Sequence, residues 1–257
     1  MTTTRATARP GRWVADFCLG WGFFTRLGPA RQSTPAQLAS TLPWAPAYGL
    51  LLGLLLAAPF ALGLLQGQPL VQAWVWLGLN WWATRGLHWD GWADLADGWG
   101  SGAQGDAFWR IVKDSRCGAF GAMGLFLGLG GLMALAQALF AAEQLAVLIY
   151  APVLGRLALV WLARAGRTLA RPGLAMAFVA HAGTRSSALS TAFALAAGLW
   201  LLPPGTLLAA LLLAGLGVAA LIRLARRQAG INGDFLGAAI VWGELAACLA
   251  ALLTLQP

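Results

Sequence analysis

Three aspartates, Asp90, Asp94 and Asp97, recur at i, i+4 and i+7 in the string HWDGWADLADGWG from His88 to Gly100. On a helix this spacing puts all three on one face. The chain holds nine acidic residues in all, and five of them fall between Asp90 and Asp114. Like charges this close repel, and the usual compensation is a divalent cation shared by the carboxylates. Two more strings join acids to glycines: KDSRCG at 113–118, and GINGDFLGAAIVWGE at 230–244, which carries Asp234 and Glu244. Gly91, Gly98 and Gly100 flank the first group, Gly118 and Gly121 the second, and Gly230, Gly233 and Gly237 the third. Where a loop enters a helix, glycine lets the backbone approach a bulky anion, and the helix start adds unpaired N–H groups and a favourable dipole. Glycine also packs membrane helices closely, so each position has two readings. Carboxylates sharing a metal beside glycine-rich helix starts make a phosphate site. Mg²⁺ there bridges pyrophosphate oxygens and neutralises charge as a phosphoryl group moves.

A few residues stand outside these strings. Arg156 and Glu244 fall inside apolar runs, where an ionisable group costs on the order of 2.5–3.5 kcal/mol on insertion scales. They read either as a buried pair holding two helices together, or as an Arg reaching a phosphate and a Glu facing an aqueous pocket. His88 reads as a proton carrier, a metal ligand or a hydrogen-bonded part of the scaffold. His181 reads as solvated. Eight of the fourteen tryptophans lie between Trp74 and Trp109. A membrane-interface belt accounts for most of them, while Trp89, Trp92 and Trp99, interleaved with the acids, have the alternative of stacking on a planar substrate ring.

The elements that must position these groups are set by composition. The chain has 257 residues, 59% hydrophobic and 10% charged, with mean hydropathy +0.70; soluble domains carry about 25% charged residues. This excludes an ordinary soluble globule and predicts an all-α, polytopic integral membrane helix bundle forming a single domain over 1–257. Seven spans are expected, over about 45–65, 70–87, 119–141, 145–163, 187–202, 206–222 and 235–255, with connections at 88–118 and 164–186. Several are shorter than the roughly 20 residues a straight span needs, and the pair joined by Pro203-Pro204-Gly205 has room to be tilted or re-entrant. The run 13–24 is too short to span and is expected as an interfacial helix. Asp16 interrupts it and no small-residue cleavage site follows, which argues against a cleaved signal peptide.

The net charge is +8. Sixteen of the seventeen basic residues fall in the N-terminal segment (Arg5, Arg9, Arg12, Arg26, Arg31) and in alternate connections, at Arg85–Arg116, Arg164–Arg185 and Arg223–Arg227. This predicts those segments in the cytoplasm and the C-terminus outside. The basic residues are dispersed, which argues against nucleic acid as a partner. Cys18, Cys117 and Cys248 are far apart, odd in number and outside any metal-ligand spacing, and read as small apolar residues. Every acidic cluster falls on the basic, cytoplasmic side. The reading from residues alone is a membrane-embedded enzyme acting on a phosphate or pyrophosphate at its cytoplasmic face.

The strings FFTRLGPA (23–30), GLHWDGWADLADGWGSG (86–102), VKDSRCGAFGAMGL (112–125), the region of Arg156, and AGINGDFLGAAIVWGE (229–244) resemble, in order, the motifs of the cobalamin synthase family of adenosylcobinamide-GDP ribazoletransferases. The acidic motifs are filled at every fixed position; Asn232 stands where Thr is frequent. The resemblance implies joining of adenosylcobinamide-GDP to α-ribazole or α-ribazole 5′-phosphate. The products are adenosylcobalamin or its 5′-phosphate, and GMP. It also implies a multi-pass place in the bacterial inner membrane, among lipid, with Mg²⁺ as cofactor. Carried onto this chain, it implies Asp90, Asp94, Asp97 and Asp234 as metal ligands. Lys113, Ser115, Arg116, Arg156, Gly233 and Arg26 become substrate or phosphate contacts, with catalytic roles among Asp90, Asp94, Asp114, Glu244 and His88. A homo-oligomer is left open.

Two other classes share some of these features. CDP-alcohol phosphotransferases also combine a DG-x-x-A motif with several Asp residues and Mg²⁺, but their pattern continues with Arg where this chain has Asp94. A transporter would line a path with Arg156 and Glu244, yet the acids crowd one face and no inverted repeat is visible.

Overall fold

The computed structural model describes residues 12–28 and 32–254. Arg5, Arg9 and Arg31 lie outside the described residues, as do the side chains of Arg12 and His181. Twelve α-helices are found among the described residues. They are α1 Arg12–Phe24, α2 Pro35–Ser40, α3 Ala45–Ala61, α4 Pro69–Thr84, α5 Leu87–Gly100, α6 Asp106–Val112, α7 Ala119–Ala141, α8 Leu145–Ala165, α9 Leu174–His181, α10 Thr184–Leu201, α11 Pro204–Arg227 and α12 Gly233–Thr254. A helix stands over each of the seven expected spans. Among the described residues, five segments are long and apolar enough to cross a membrane: 35–61, which runs through α2 into α3, and α7, α8, α11 and α12. With 16 residues, α4 rises only about 24 Å, less than the hydrocarbon thickness of about 30 Å. The first three residues of α10 after its start are Arg185, Ser186 and Ser187, which lowers its hydropathy. The 13–24 run forms the short apolar helix α1, as expected.

The long connections are more ordered than the spacing of apolar runs predicts. The span expected to reach residue 87 stops at Thr84, because Arg85 and Gly86 both take left-handed backbone (φ 59° and 66°) and turn the chain into α5. The 88–118 segment is therefore mostly helix, α5 followed by α6. The 164–186 segment contains a 3-10 turn and α9.

At the centre lie α8 and α12, buried along most of their lengths. Lipid offers no hydrophobic drive between helices, so small residues set the contacts. Gly49 and Gly53, one turn apart on α3, meet the backbone of α8 at Pro152 and Ile149. A Cβ on Gly243 of α12 would lie 2.7 Å from the Cα of Gly155 on α8. The basic connections gather by contact. Arg85 Nη2 donates to the carbonyls of Gly22 and Thr25, Arg164 donates to Thr184 Oγ1, and the guanidinium of Arg171 lies 4.3 Å over the Trp109 ring.

Candidate active site

The acidic strings meet where α5 crosses the start of α12. Gly91 makes the crossing: a Cβ there would lie 2.7 Å from the Cα of Asp234. One turn further along α12, Gly237 faces the backbone of His88. Two backbones in contact bring Asp234 beside the Asp90 and Asp94 turn of α5. The loop that delivers Asp234 is braced from behind. Ile231 pairs with the strand-like residues 169–171 through Ile231 N to Leu169 O (2.7 Å) and Arg171 N to Ile231 O (2.9 Å). Trp109 Nε1 donates to Gln228 O at 2.8 Å. Asn232 caps the helix, its amide nitrogen donating to Asp234 Oδ2 and its oxygen accepting from Phe235 N.

Asp97, only 8% exposed, holds the remaining string, KDSRCG. Its two carboxylate oxygens accept from Gly118 N and Gly121 N, both at 2.7 Å. A charged side chain from α5 thus satisfies orphan donors at the start of α7 and complements its dipole. Both glycines are needed, since a Cβ on either would run into the Asp97 carboxylate. The string KDSRCG is tied to the α5 acids through this contact.

The electrostatics follow from the gathering. Burial first, then the charges of Asp234, Asp90 and Asp97, push the Asp94 carboxyl up to about 7. Among the described residues the ion pairs are Arg116–Asp114 and Arg156–Glu244; neither supplies a cation to the four aspartates. The group is therefore short of positive charge, which fits a bound divalent cation. Among the described residues no three His, Cys, Asp or Glu side chains close a metal cage. Mg²⁺ requires no such cage, because it is commonly held by one or two carboxylates and completed by substrate phosphates and water.

Next to the acids opens a cavity of about 610 Å³. Asp90, His88, Asp234 and Gly233 line it, together with an apolar wall that includes Phe23, Phe24, Phe178, Leu159 and Ile240. Gly233, at the exposed start of α12, has open space around it.

Other residues singled out in the sequence sit elsewhere. Arg156 (0% exposed) and Glu244 (3%) form the buried pair, with Asn80 Nδ2 donating to Glu244 Oε2 at 3.1 Å. The pair sits beside the Gly155–Gly243 contact, and neither residue lines the cavity. Arg156 Nε and Nη2, and His88 Nε2, are buried without a hydrogen-bond partner among the described residues. Burial, reinforced by Arg156, drives the His88 pKa well down, so its imidazole is neutral. On the exposed loop, Arg116 grips Asp114 through Nε to Oδ1 at 3.0 Å and Nη2 to Oδ2 at 2.7 Å, holding that carboxyl at about 2. Lys113 and Ser115 are exposed on the same loop. Arg26 stacks on Trp82, 5.1 Å from the ring centroid. Trp89 is buried, and Trp92 Nε1 donates to Gly124 O at 2.9 Å, so both pack α5 against α7; Trp74, Trp81 and Trp82 are exposed, as a belt requires. Sequence reasoning missed the apolar wall. Phe23 and Phe24 stand in a quoted motif, but their role depends on α9, whose Phe178 carries no local signal.

A polytopic helical bundle with acids gathered beside a cavity and two glycine-rich helix starts defines a membrane-embedded enzyme of phosphate chemistry. A model of the cobalamin-5-phosphate synthase family matches residues 16–252. A protein named adenosylcobinamide-GDP ribazoletransferase from Nitratidesulfovibrio vulgaris strain Miyazaki F is 46% identical over 248 residues, covering 96% of this chain and 98% of its own length. Proteins of the same name from Syntrophobacter fumaroxidans and Alkaliphilus oremlandii are 38% and 33% identical, over 81% and 76% of this chain and 84% and 78% of theirs. No solved structure matches. The chain belongs to the cobalamin-5-phosphate synthase family.

Proposed function

We propose that this protein joins adenosylcobinamide-GDP to α-ribazole, or to α-ribazole 5′-phosphate, releasing GMP and completing the nucleotide loop of cobalamin. One observation carries the reading beyond family membership: four carboxylates from two strings distant in sequence are brought together beside a cavity, with no ion-pair partner among the described residues. A ribazole hydroxyl oxygen forms a bond to the phosphorus next to the cobinamide. The bridging P–O bond breaks, and its electron pair leaves on GMP. Two of the carboxylates Asp90, Asp94 and Asp234 would hold Mg²⁺, with substrate phosphate and water completing its shell; Asp97, with both oxygens on backbone N–H groups, chiefly anchors α7. When bound, Mg²⁺ neutralises pyrophosphate charge and stabilises the leaving phosphate.

The chain's own groups do the rest. The open α12 start at Gly233 presents backbone N–H groups to an anion. Lys113, Ser115 and Arg116 lie on the loop tied to the α5 acids through Asp97; Arg116 must release Asp114 to serve a phosphate. Of His88, Asp90, Asp94, Asp114 and Glu244, Asp90 is the carboxylate on the cavity wall and is the proton acceptor we favour. Asp114 is occupied by Arg116, and Arg156 and Glu244 hold α8 to α12. The enzyme works in the bacterial inner membrane with these loops in the cytoplasm, in keeping with the basic connections.

Incubation of the purified protein with adenosylcobinamide-GDP, α-ribazole and Mg²⁺ should yield GMP and a complete corrinoid in equal amounts. Asp90→Ala and Asp94→Ala should each lower turnover at least about a hundredfold while leaving the protein in the membrane. Failure of the wild type with both α-ribazole and its phosphate would sink the assignment. Near-normal rates in either variant would remove the carboxylates from the mechanism.

A further inference from the structure

The cavity beside Asp90 and Asp234 has a polar side and an apolar one. Its polar lining comes mainly from α5 and the first turn of α12, through His88, Asp90 and Asp234. The remaining wall is largely apolar, with three rings that contact one another. Phe23 and Phe24 on α1 lie 5.3 and 6.0 Å, centroid to centroid, from Phe178 on α9, with interplanar angles of 50° and 48°. Leu159 of α8 and Ile240 of α12 extend this wall. Arg85 also reaches the cavity, but its Nη2 is spent on the carbonyls of Gly22 and Thr25.

We propose that this aromatic wall is the acceptor subsite, taking the benzimidazole base of α-ribazole and presenting its ribose to the carboxylates. The inference rests on the ribazole-transfer reading above. Three groups of the two substrates compete for the space. A corrinoid ring is too large for a cavity of about 610 Å³. Guanine carries an exocyclic amine, a carbonyl and a ring N–H; against Phe, Leu and Ile these lose their hydrogen bonds to water without replacement, and toward Asp90 and Asp234 its donors would occupy the carboxylates that the phosphate chemistry needs. A methylated benzimidazole has a flat apolar face and a single free ring nitrogen. It gains from tilted aromatic contacts and loses little on desolvation. Its ribose then lies toward Asp90 and Asp234, where the attacking hydroxyl must lose its proton. A lipid chain is the other apolar guest a membrane protein offers, but it makes no use of carboxylates at one side of its site.

The test is steady-state kinetics on the purified full chain with Mg²⁺, varying each substrate in turn. Phe23→Ala should raise the KM for α-ribazole about tenfold or more and leave the KM for adenosylcobinamide-GDP within about twofold. Phe23→Leu should recover part of the loss. Phe23 is only partly buried, so it serves if Phe178→Ala, at a buried position, fails to fold. In the wild type, 5,6-dimethylbenzimidazole should compete with α-ribazole, and this inhibition should weaken in Phe23→Ala. An unchanged α-ribazole KM in Phe23→Ala, or a parallel rise in both KM values, overturns the subsite, whatever else fills the cavity. Failure of the transfer reading itself has a different signature, the absence of GMP release by the wild type.

Discussion

Asp94 and Asp97 stand three residues apart on one helix and have different neighbours. Asp97 is matched by two backbone donors, Gly118 N and Gly121 N; Asp94 faces three other carboxylates. Asp97→Ala leaves two N–H groups at the start of α7 without their charged acceptor. It should cost about 2–4 kcal/mol of stability, seen as a fall in the unfolding midpoint in detergent. Asp94 behaves in the opposite sense. Its carboxyl titrates at about 7 in the folded protein and in the ordinary carboxylate range when unfolded. With the folded value raised, its contribution to stability is fully present below the unfolded value and is lost as pH rises through about 7. Protein stripped of metal with a chelator should therefore melt at lower temperature as pH rises from about 4 to about 8. Asp94→Asn should flatten that slope, and Mg²⁺ should raise the wild-type midpoint more at pH 8 than at pH 5. A slope unchanged by Asp94→Asn would remove Asp94 as its source.

Among the elements, the contact of α8 with α12 holds the buried ion pair of Arg156 and Glu244. Removing one partner of such a pair costs about 3–5 kcal/mol, because the other charge stays buried alone. Glu244→Gln should be destabilising by that amount, and Arg156→Leu combined with Glu244→Leu should be milder than the sum of the two single changes. Simple additivity in a double-mutant cycle would mean the pair does not couple the helices. Much of this level was legible in the sequence. Lipid demands long apolar runs, so the spans showed themselves, and the pairing of Arg156 with Glu244 was one of two readings that their rarity allowed. The bend at Arg85–Gly86 was not legible, since it puts a non-glycine residue in left-handed backbone. Nor was the aromatic wall, because Phe178 meets Phe23 and Phe24 only through tertiary packing. The carboxylates announced themselves by spacing; the division between Asp97 as an anchor and its neighbours as a free group required seeing where α7 begins.

For the whole molecule, orientation is the open physical quantity that one natural residue reports. Cys117 is an exposed free thiol on the loop tied to the α5 acids, while Cys248 is buried and Cys18 partly so. In a Cys18→Ser background, an impermeant maleimide should label Cys117 in inside-out vesicles and spare it in right-side-out ones. The reverse pattern would place the acidic face outside and contradict the basic-loop assignment. The Gly91–Asp234 contact also bears on how the protein is made. The α5 acids are synthesised well before Asp234, which belongs to α12, the last helix among the described residues. A ribosome that stops before Gly233 releases a chain with the α5 aspartates but without the fourth carboxylate or the braced loop that carries it. The acidic group is thus incomplete until α12 is made, however early α5 has folded.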